Sequence, residues 1–182
     1  MELPSRSTCH LSDADIRAFL ARVGELCEHP TNLYLLGGSA LILLGSPRPT
    51  VDLDYVGSDL PAQRGELEQL VQRAAVEMQI EVEAIPFQDF LPLPSESERR
   101  HVQIGQFGKL TVYVFDLYSI ALSKIERGFE SDLEDVVFLL QHKRIELQRL
   151  IQLAQAMLTR APEFALDAQQ IHAHLNALER MI

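Results

Sequence analysis

Two short motifs, separated by twelve residues, constrain this chain more than any other feature of its sequence. Gly37-Gly38-Ser39 ends one apolar run, and Asp52-Leu53-Asp54 lies between apolar neighbours. If residues 51–56 form a strand, side chains two residues apart share a face, so Asp52 and Asp54 project together with their Cα atoms about 6.6 Å apart. The pattern therefore predicts two carboxylates on one face of a strand that follows a glycine-rich turn.

The paired aspartates favour a site for a hard divalent cation. Like charges about 4 Å apart repel by about 4 kcal/mol at an effective dielectric constant of about 20, and a cation removes this cost. Mg²⁺ usually takes one or two protein carboxylates together with phosphate oxygens and water. Glycines let the backbone approach a phosphate closely, and a helix that begins at Ser39 would direct free N–H groups toward it. The alternative is an ordinary turn and a solvated strand face, although Asp is depleted in strands.

The order and spacing of the two motifs resemble the signature of the nucleotidyltransferase superfamily of the polymerase-beta type. Gly38-Ser39-Ala40-Leu41, followed by Arg48, Thr50 and Asp52-Leu53-Asp54, is similar to its bacterial AbiEii-like branch. The resemblance implies an α+β nucleotidyltransferase fold, in which a mixed β-sheet packs with helices, plus C-terminal helices. It also implies that the turn Gly37-Gly38-Ser39 binds the nucleotide and that the two aspartates hold Mg²⁺ or Mn²⁺.

A third carboxylate is expected on a strand beside the two aspartates, as in nucleotidyltransferases that resemble this chain. Residues 80–85 have the pattern of a strand, and Glu81 and Glu83 share one of its faces. Glu83 is the candidate for the third catalytic and metal-binding acid, and Glu81 competes with it. The alternative is that both glutamates face solvent.

A second block, from Asp116 to Val136, strengthens the resemblance. The AbiEii-like family has a lysine and then an arginine ahead of a Lys-Asp-x-x-Asp sequence; here Lys124 and Arg127 precede Asp132 and Asp135, and a serine replaces the next basic residue. The resemblance implies that Lys124 contacts the nucleotide phosphates. Its position on the buried stripe of a predicted helix suggests that its stem packs while its ammonium reaches the rim of a cleft. For the two aspartates, the favourable helix dipole in a first turn is a sufficient explanation.

Local signals predict the remaining elements. Ser12 opens the first helix as part of a capping box, and Ser131 has the same role in a later helix. Two prolines and a polar run predict a mobile loop at 87–100, close enough in sequence to the third acid to act as a lid. We expect residues 1–140 to form a nucleotidyltransferase-like core and residues 141–182 to form a helical extension of the same domain.

Charge and hydropathy limit the partners of the chain. A net charge of -10 argues against a broad surface for nucleic-acid backbones, because such affinity comes mainly from Lys and Arg, although a local basic groove stays open. No apolar run approaches the roughly 20 residues that cross a bilayer, and no signal peptide precedes the first helix. The sequence therefore predicts a cytoplasmic protein that does not bind membranes.

Together these features predict a metal-dependent nucleotidyltransferase that moves a nucleoside monophosphate from an NTP to a hydroxyl of an RNA, such as tRNA, or of a protein. The resemblance implies a toxin–antitoxin or phage-defence setting, with a cognate toxin or antitoxin, or a second copy of the chain, as partner. The alternative is an antitoxin-like binding module that keeps the nucleotidyltransferase fold without catalysis. A phosphatase of the haloacid-dehalogenase type is least favoured, because a proline-rich segment precedes Asp52-Leu53-Asp54 where that motif normally follows a long apolar strand.

Overall fold

The computed structural model describes residues 10–182, which form eight α-helices and five β-strands. The helices are α1 (Asp13–Leu26), α2 (Gly37–Leu43), α3 (Pro61–Met78), α4 (Phe87–Phe90), α5 (Leu117–Arg127), α6 (Glu130–Gln141), α7 (Leu147–Leu158) and α8 (Ala168–Met181). The strands are β1 (Thr31–Leu35), β2 (Asp52–Val56), β3 (Glu81–Ala84), β4 (Val102–Phe107) and β5 (Leu110–Val114). Two compact units result: the described residues up to Ala84 with Ile104–Val112, and Ile85–Gln103 with Tyr113–Ile182.

The first unit is built on a mixed β-sheet with the strand order β3-β2-β1-β5-β4, to which β4 and β5 contribute as neighbouring strands. Strand β2 runs antiparallel to β1 and parallel to β3. A parallel pair needs a crossover connection, and α3 supplies it between β2 and β3. The predicted α+β fold, a mixed sheet packed with helices, is therefore confirmed.

Helix α1 covers part of this unit and begins at the predicted capping box. The Ser12 hydroxyl accepts from the Asp15 N–H at 3.2 Å, while the Ser12 N–H donates to the Asp15 carboxylate at 2.9 Å. The helix packs against α2 and α3. Four of its side chains, recurring at helical spacing, are fully buried: Ile16, Phe19, Leu20 and Val23.

Helix α2 begins at Gly37, two residues earlier than the sequence predicted. Leu36 is the N-cap residue, and its extended backbone donates an N–H bond of 2.9 Å to the Asp54 carbonyl oxygen. This bond attaches the start of the helix to β2. The two glycines therefore occupy the first turn of α2 instead of a loop ahead of it.

The predicted mobile loop at 87–100 is wrong, because this segment holds regular structure and buried contacts. Helix α4 lies at its start, and a 3-10 turn spans Ser97–Arg100. Phe87 is buried with its ring edge-on to Phe115, at 5.4 Å between centroids. Arg100 forms two hydrogen bonds with Asp116, of 2.7 and 3.0 Å. These contacts hold the segment within the second unit, so we do not assign it a lid function.

The second unit is helical, and α5 packs against α6, α7 and α8. The Asp116 carboxylate caps α5 by accepting from the Ser119 N–H at 3.1 Å. Gly128 ends the helix in the left-handed conformation, with φ of 69°. The predicted capping box at Ser131 is wrong, because α6 begins at Glu130 with Phe129 as its N-cap residue.

The C-terminal helices α7 and α8 are the ones that the sequence assigns to residues 141–182. Asp167 caps α8 by accepting from the N–H groups of Gln169 and Gln170. The boundary at residue 140 between a core and an extension stays a prediction. Within residues 10–182, no helix has both the length and the apolar character that a membrane span requires.

Candidate active site

Strand β2 presents the two aspartates on one face, as the alternating sequence predicted. Leu53 and Tyr55 are buried on the opposite face, with 0% and 1% of their surface exposed. Asp52 and Asp54 are only partly buried. Burial of the apolar partners fixes the register of the strand, since a shift of one residue would move the aspartates into the core.

Strand β3 adds two further carboxylates to the same face. In the parallel register, Asp52 lies beside Glu81 and Asp54 beside Glu83. Paired residues of neighbouring strands share a face and lie about 4.8 Å apart. Glu81 and Glu83 are both exposed, so the four residues form an acidic face (Asp52, Asp54, Glu81 and Glu83) that is accessible to water. The register puts Glu83, the preferred third acid, next to Asp54, and it puts Glu81 next to Asp52.

Gly37 lies directly against this acidic face. Its φ of 60° is in the left-handed region, which glycine adopts at little cost. A Cβ atom built at this position would overlap the Asp54 carboxylate oxygen Oδ2. Both the backbone conformation and the space therefore require glycine at residue 37.

Gly38 lies against Thr50, a residue for which the sequence predicts no role of its own. A Cβ atom on Gly38 would lie 2.9 Å from Thr50 Oγ1 and 3.6 Å from an Arg48 guanidinium nitrogen. The Thr50 hydroxyl donates to Asp52 Oδ1 at 2.9 Å. The signal in the sequence is the two-residue spacing from Thr50 to Asp52, although spacing alone does not distinguish a hydrogen bond from neighbouring side chains.

Ser39, the third residue of the predicted nucleotide-binding turn, is directed away from the surface. It is 0% exposed, and its hydroxyl donates to the Leu36 carbonyl oxygen at 3.2 Å. The side chain thus supports the first turn of α2. Any contact that Ser39 makes to a nucleotide would involve its backbone.

Lys124 belongs to the second unit. The prediction that its ammonium reaches the rim of a cleft is wrong, because the side chain is buried. Only 2% of the residue is exposed. Its Nζ atom lies 2.6 Å from Asp135 Oδ2 and 3.3 Å from Asp132 Oδ1. A buried ammonium requires counter-charges, and both are supplied by α6. A nucleotide-binding role for Lys124 stays a prediction.

Asp132 and Asp135 are ion-pair partners of Lys124, a role that a favourable helix dipole alone does not explain. Asp132 is 4% exposed and Asp135 is 2% exposed, so each is a buried charge. Arg127 adds a 2.6 Å bond to the Asp132 Oδ1 atom. Lys124, Arg127, Asp132 and Asp135 form what we call the α5–α6 ion cluster, in which two positive and two negative charges balance.

A family model described as a nucleotidyltransferase of unknown function (DUF6036) matches residues 14–177. The chain belongs to this nucleotidyltransferase family. The matched residues include Gly37-Gly38-Ser39, Asp52-Leu53-Asp54 and the α5–α6 ion cluster. The match confirms the predicted resemblance to nucleotidyltransferases. Membership of the AbiEii-like branch stays a prediction. No curated protein and no solved structure matches the chain.

Asp52 and Asp54 of the acidic face present donor atoms of the kind that suit a divalent cation. They are all carboxylate oxygens, the chemistry that Mg²⁺ and Mn²⁺ accept. Asp54 Oδ2 lies in the space that a side chain at residue 37 would fill. Among residues 10–182, no group of three or more His, Cys, Asp or Glu side chains is placed to hold a metal ion. The two aspartates are the pair that we consider for the metal, and Glu83 as a third ligand stays a prediction.

Proposed function

We propose that the protein is a metal-dependent nucleotidyltransferase that transfers a nucleoside monophosphate from an NTP to a hydroxyl group. The observation that carries this proposal is the placement of Gly37 against the carboxylate of Asp54. It joins the glycine turn to the acidic face within one unit of the fold. Membership of a nucleotidyltransferase family supports the same class of chemistry.

In this proposal the chain's own residues bind and orient the nucleotide. Asp52 and Asp54 hold Mg²⁺ or Mn²⁺, and the backbone at Gly37, Gly38 and Ser39 approaches the phosphates without side chains in the way. A bound divalent cation would neutralise negative charge on the phosphate oxygens and on the leaving group. The carboxylates, which repel one another without a cation, would then share its charge.

The transfer step needs an acceptor hydroxyl and a group that takes its proton. The acceptor oxygen attacks the α-phosphorus, a new P–O bond forms, and the bond to the β-phosphate oxygen breaks to release pyrophosphate. The hydroxyl proton passes to a carboxylate, for which Glu83 is the candidate because it lies beside Asp54 and is exposed to water. An exposed position also suits an acceptor that is itself large, an RNA such as tRNA or a protein.

The setting of the reaction is proposed from the resemblance alone. A toxin–antitoxin or phage-defence system would place the protein in the cytoplasm, with a cognate toxin or antitoxin, or a second copy of the chain, as its partner. In each of these settings, as in the transfer step itself, the acidic face must stay accessible to the acceptor.

Transfer of label tests this function directly. The purified protein is incubated with each α-labelled NTP, Mg²⁺ or Mn²⁺, and cell lysate, beside the Asp52→Asn and Asp54→Asn variants. Asp89→Asn is the matched control, because Asp89 is exposed and lies outside the acidic face. We expect label in RNA or protein with the wild type and the control only, and chelation of the metal should abolish it. Transfer by both site variants at the wild-type rate would overturn the proposal.

A non-catalytic binding module is the second candidate, and a specific observation favours it. The described residues hold no group of three metal-binding side chains, which a complete catalytic centre of the predicted kind would contain. Calorimetry separates the two candidates, because a binding module would show no Mg²⁺-dependent affinity for any NTP. Family membership leaves the phosphatase alternative without an observation in its favour.

A further inference from the structure

Thr50 connects the two motifs of the candidate site, although it belongs to neither. It is 9% exposed, and it lies two residues before Asp52. Its carbonyl oxygen accepts a 2.8 Å hydrogen bond from the Leu11 N–H, in an isolated antiparallel bridge. The backbone of Thr50 is therefore fixed by the segment that leads into α1, before its side chain makes any contact.

The hydroxyl of Thr50 has a single hydrogen to donate, and the two oxygens of Asp52 near it are both acceptors. Asp52 Oδ1 lies 2.9 Å from Oγ1, and the Asp52 carbonyl oxygen lies 3.4 Å from it. The shorter contact has the distance of a good hydrogen bond, whereas the longer one is at the limit. Because carboxylate and carbonyl oxygens cannot donate, the proton of Thr50 is directed at the Asp52 carboxylate.

The remaining part of the Thr50 side chain packs against the glycine turn. A Cβ atom on Gly38 would lie 2.9 Å from Thr50 Oγ1 and 3.0 Å from its Cβ atom. Any side chain at residue 38 would push Thr50 away. Because Gly38 has no side chain, Thr50 can lie where its hydroxyl reaches Asp52.

We propose that Thr50 is a positioning residue, which orients the Asp52 carboxylate toward a divalent cation by holding its Oδ1 atom and leaving Oδ2 to bind. This inference rests on the proposed function. A carboxylate that accepts a hydrogen bond from a neighbour has fewer orientations to lose when it binds a metal, and removal of such partners typically weakens metal affinity by about 10- to 100-fold. Thr50 acts through Asp52 and touches no reacting atom.

The side-chain chemistry of residue 50 allows the donor and the shape to be separated. Val has the branched shape of Thr but no hydroxyl, whereas Ser keeps the donor and lacks the methyl group. If the hydroxyl is what matters, Ser must restore what Val loses. A role limited to packing against Gly38 predicts the opposite order, because Val fills that space and Ser does not.

The test measures Mn²⁺ affinity by electron paramagnetic resonance, with no nucleotide and no acceptor present. The variants are Thr50→Val, Thr50→Ala and Thr50→Ser, and all must show the wild-type circular dichroism spectrum. Thr31→Val is the matched control, because Thr31 lies in the same unit and its hydroxyl donates only to the His29 carbonyl oxygen among the contacts observed, at 3.0 Å. Thr50→Ala keeps the test open if the Val variant fails to fold.

We expect the dissociation constant for Mn²⁺ to rise by about 10-fold or more in the Val and Ala variants, and to stay near the wild-type value in the Ser and Thr31→Val variants. Equal affinity of the wild type and Thr50→Val would overturn this inference and leave the proposed function intact. A wild type that binds no Mn²⁺ would overturn the proposed metal site, and this inference with it.

Discussion

The Asp54 carboxylate packs directly against Gly37, so that a Cβ atom on residue 37 would overlap the Oδ2 atom of the aspartate. The two residues come from different elements, the first turn of α2 and the middle of β2. They are held together by the backbone bond from the Leu36 N–H to the Asp54 carbonyl oxygen, of 2.9 Å. A change at either residue therefore alters the surroundings of the other.

Gly37→Ala should damage both the fold and the site. The methyl group would displace the Asp54 carboxylate, and the positive φ adds a backbone cost of about 1 kcal/mol. Gly45→Ala is the matched control, because Gly45 has a φ of 97° but nothing within 4 Å of its Cβ position. Urea unfolding should show a lower free energy of unfolding in both variants, whereas Mn²⁺ affinity should fall only in Gly37→Ala. Unchanged Mn²⁺ binding by Gly37→Ala would contradict the proposed role of Asp54.

Lys124→Met tests whether the α5–α6 ion cluster is structural. The substitution removes the ammonium that lies 2.6 Å from Asp135 and 3.3 Å from Asp132, and breaking such buried pairs costs about 3–5 kcal/mol. Lys143→Met is the control, because Lys143 is exposed, and it should change the free energy of unfolding by less than about 0.5 kcal/mol. Chemical unfolding followed by circular dichroism measures both. A Lys124→Met protein of native stability that has lost NTP binding would instead support the phosphate contact that the resemblance implies.

Arg100→Ala should destabilise the second unit by about 1.5–3 kcal/mol, since it leaves the fully buried Asp116 carboxylate with only its bonds to Ser119. The hydrogen bonds that the Arg100 guanidinium donates to the Asp116 carboxylate also raise the pKa of Arg100. Arg99→Ala provides the comparison. Arg99 pairs with Glu96 on the surface and should contribute no more than about 1 kcal/mol. Equal effects of the two substitutions on the urea midpoint would show that the Arg100–Asp116 pair contributes no more stability than the surface pair of Arg99 with Glu96.

Tyr55→Phe should keep or raise stability at pH 7 and should change its dependence on alkaline pH. Among the described residues, the buried Tyr55 hydroxyl has no hydrogen-bond partner, so its removal should stabilise the fold by up to about 1 kcal/mol. Burial, assisted by the charge of Glu68, raises the pKa of Tyr55 to about 12. An unfolded tyrosine titrates near 10, so the protonated hydroxyl contributes stability below about pH 10 that is lost between about pH 10 and 12.

The comparison that isolates this effect is the difference in free energy of unfolding between the wild type and Tyr55→Phe, measured from pH 8 to 11. Other tyrosines and lysines titrate in both proteins and cancel. We expect the wild type to lose stability relative to the variant above about pH 10. Parallel curves over that range would show that Tyr55 ionises equally well in the folded and unfolded states.

The parts of the fold and site that the sequence predicted are those that depend on local periodicity. Alternation along 51–56 identified the shared face of Asp52 and Asp54, since the strand period is two whatever the strand pairs with. The partnership of Asp54 with Glu83 is different. It depends on the register between two strands joined by α3, and no local pattern encodes that register.

The errors have related physical causes. Lys124 was correctly placed on a buried stripe, but the helical pattern of α5 carries no information on what the next helix brings to it. Asp132 and Asp135 looked like ordinary first-turn acids for the same reason. At 87–100, proline content suggested mobility, whereas the fixed contact of Arg100 with Asp116 comes from a residue outside that segment.

The α5–α6 ion cluster also bears on the order in which the chain folds. Its bonds from Lys124 join residues only 8 and 11 positions apart, so the loop that must close is short and its entropic cost is small. Strands β2 and β3 are separated in sequence by the whole of α3, so the pairing of Asp54 with Glu83 must close a much longer loop. Because local contacts form faster than distant ones, we expect backbone amides of α5 and α6 to gain protection from hydrogen exchange before those of the acidic face. The residues proposed for catalysis would then be among the last to reach their places on the way to the native state.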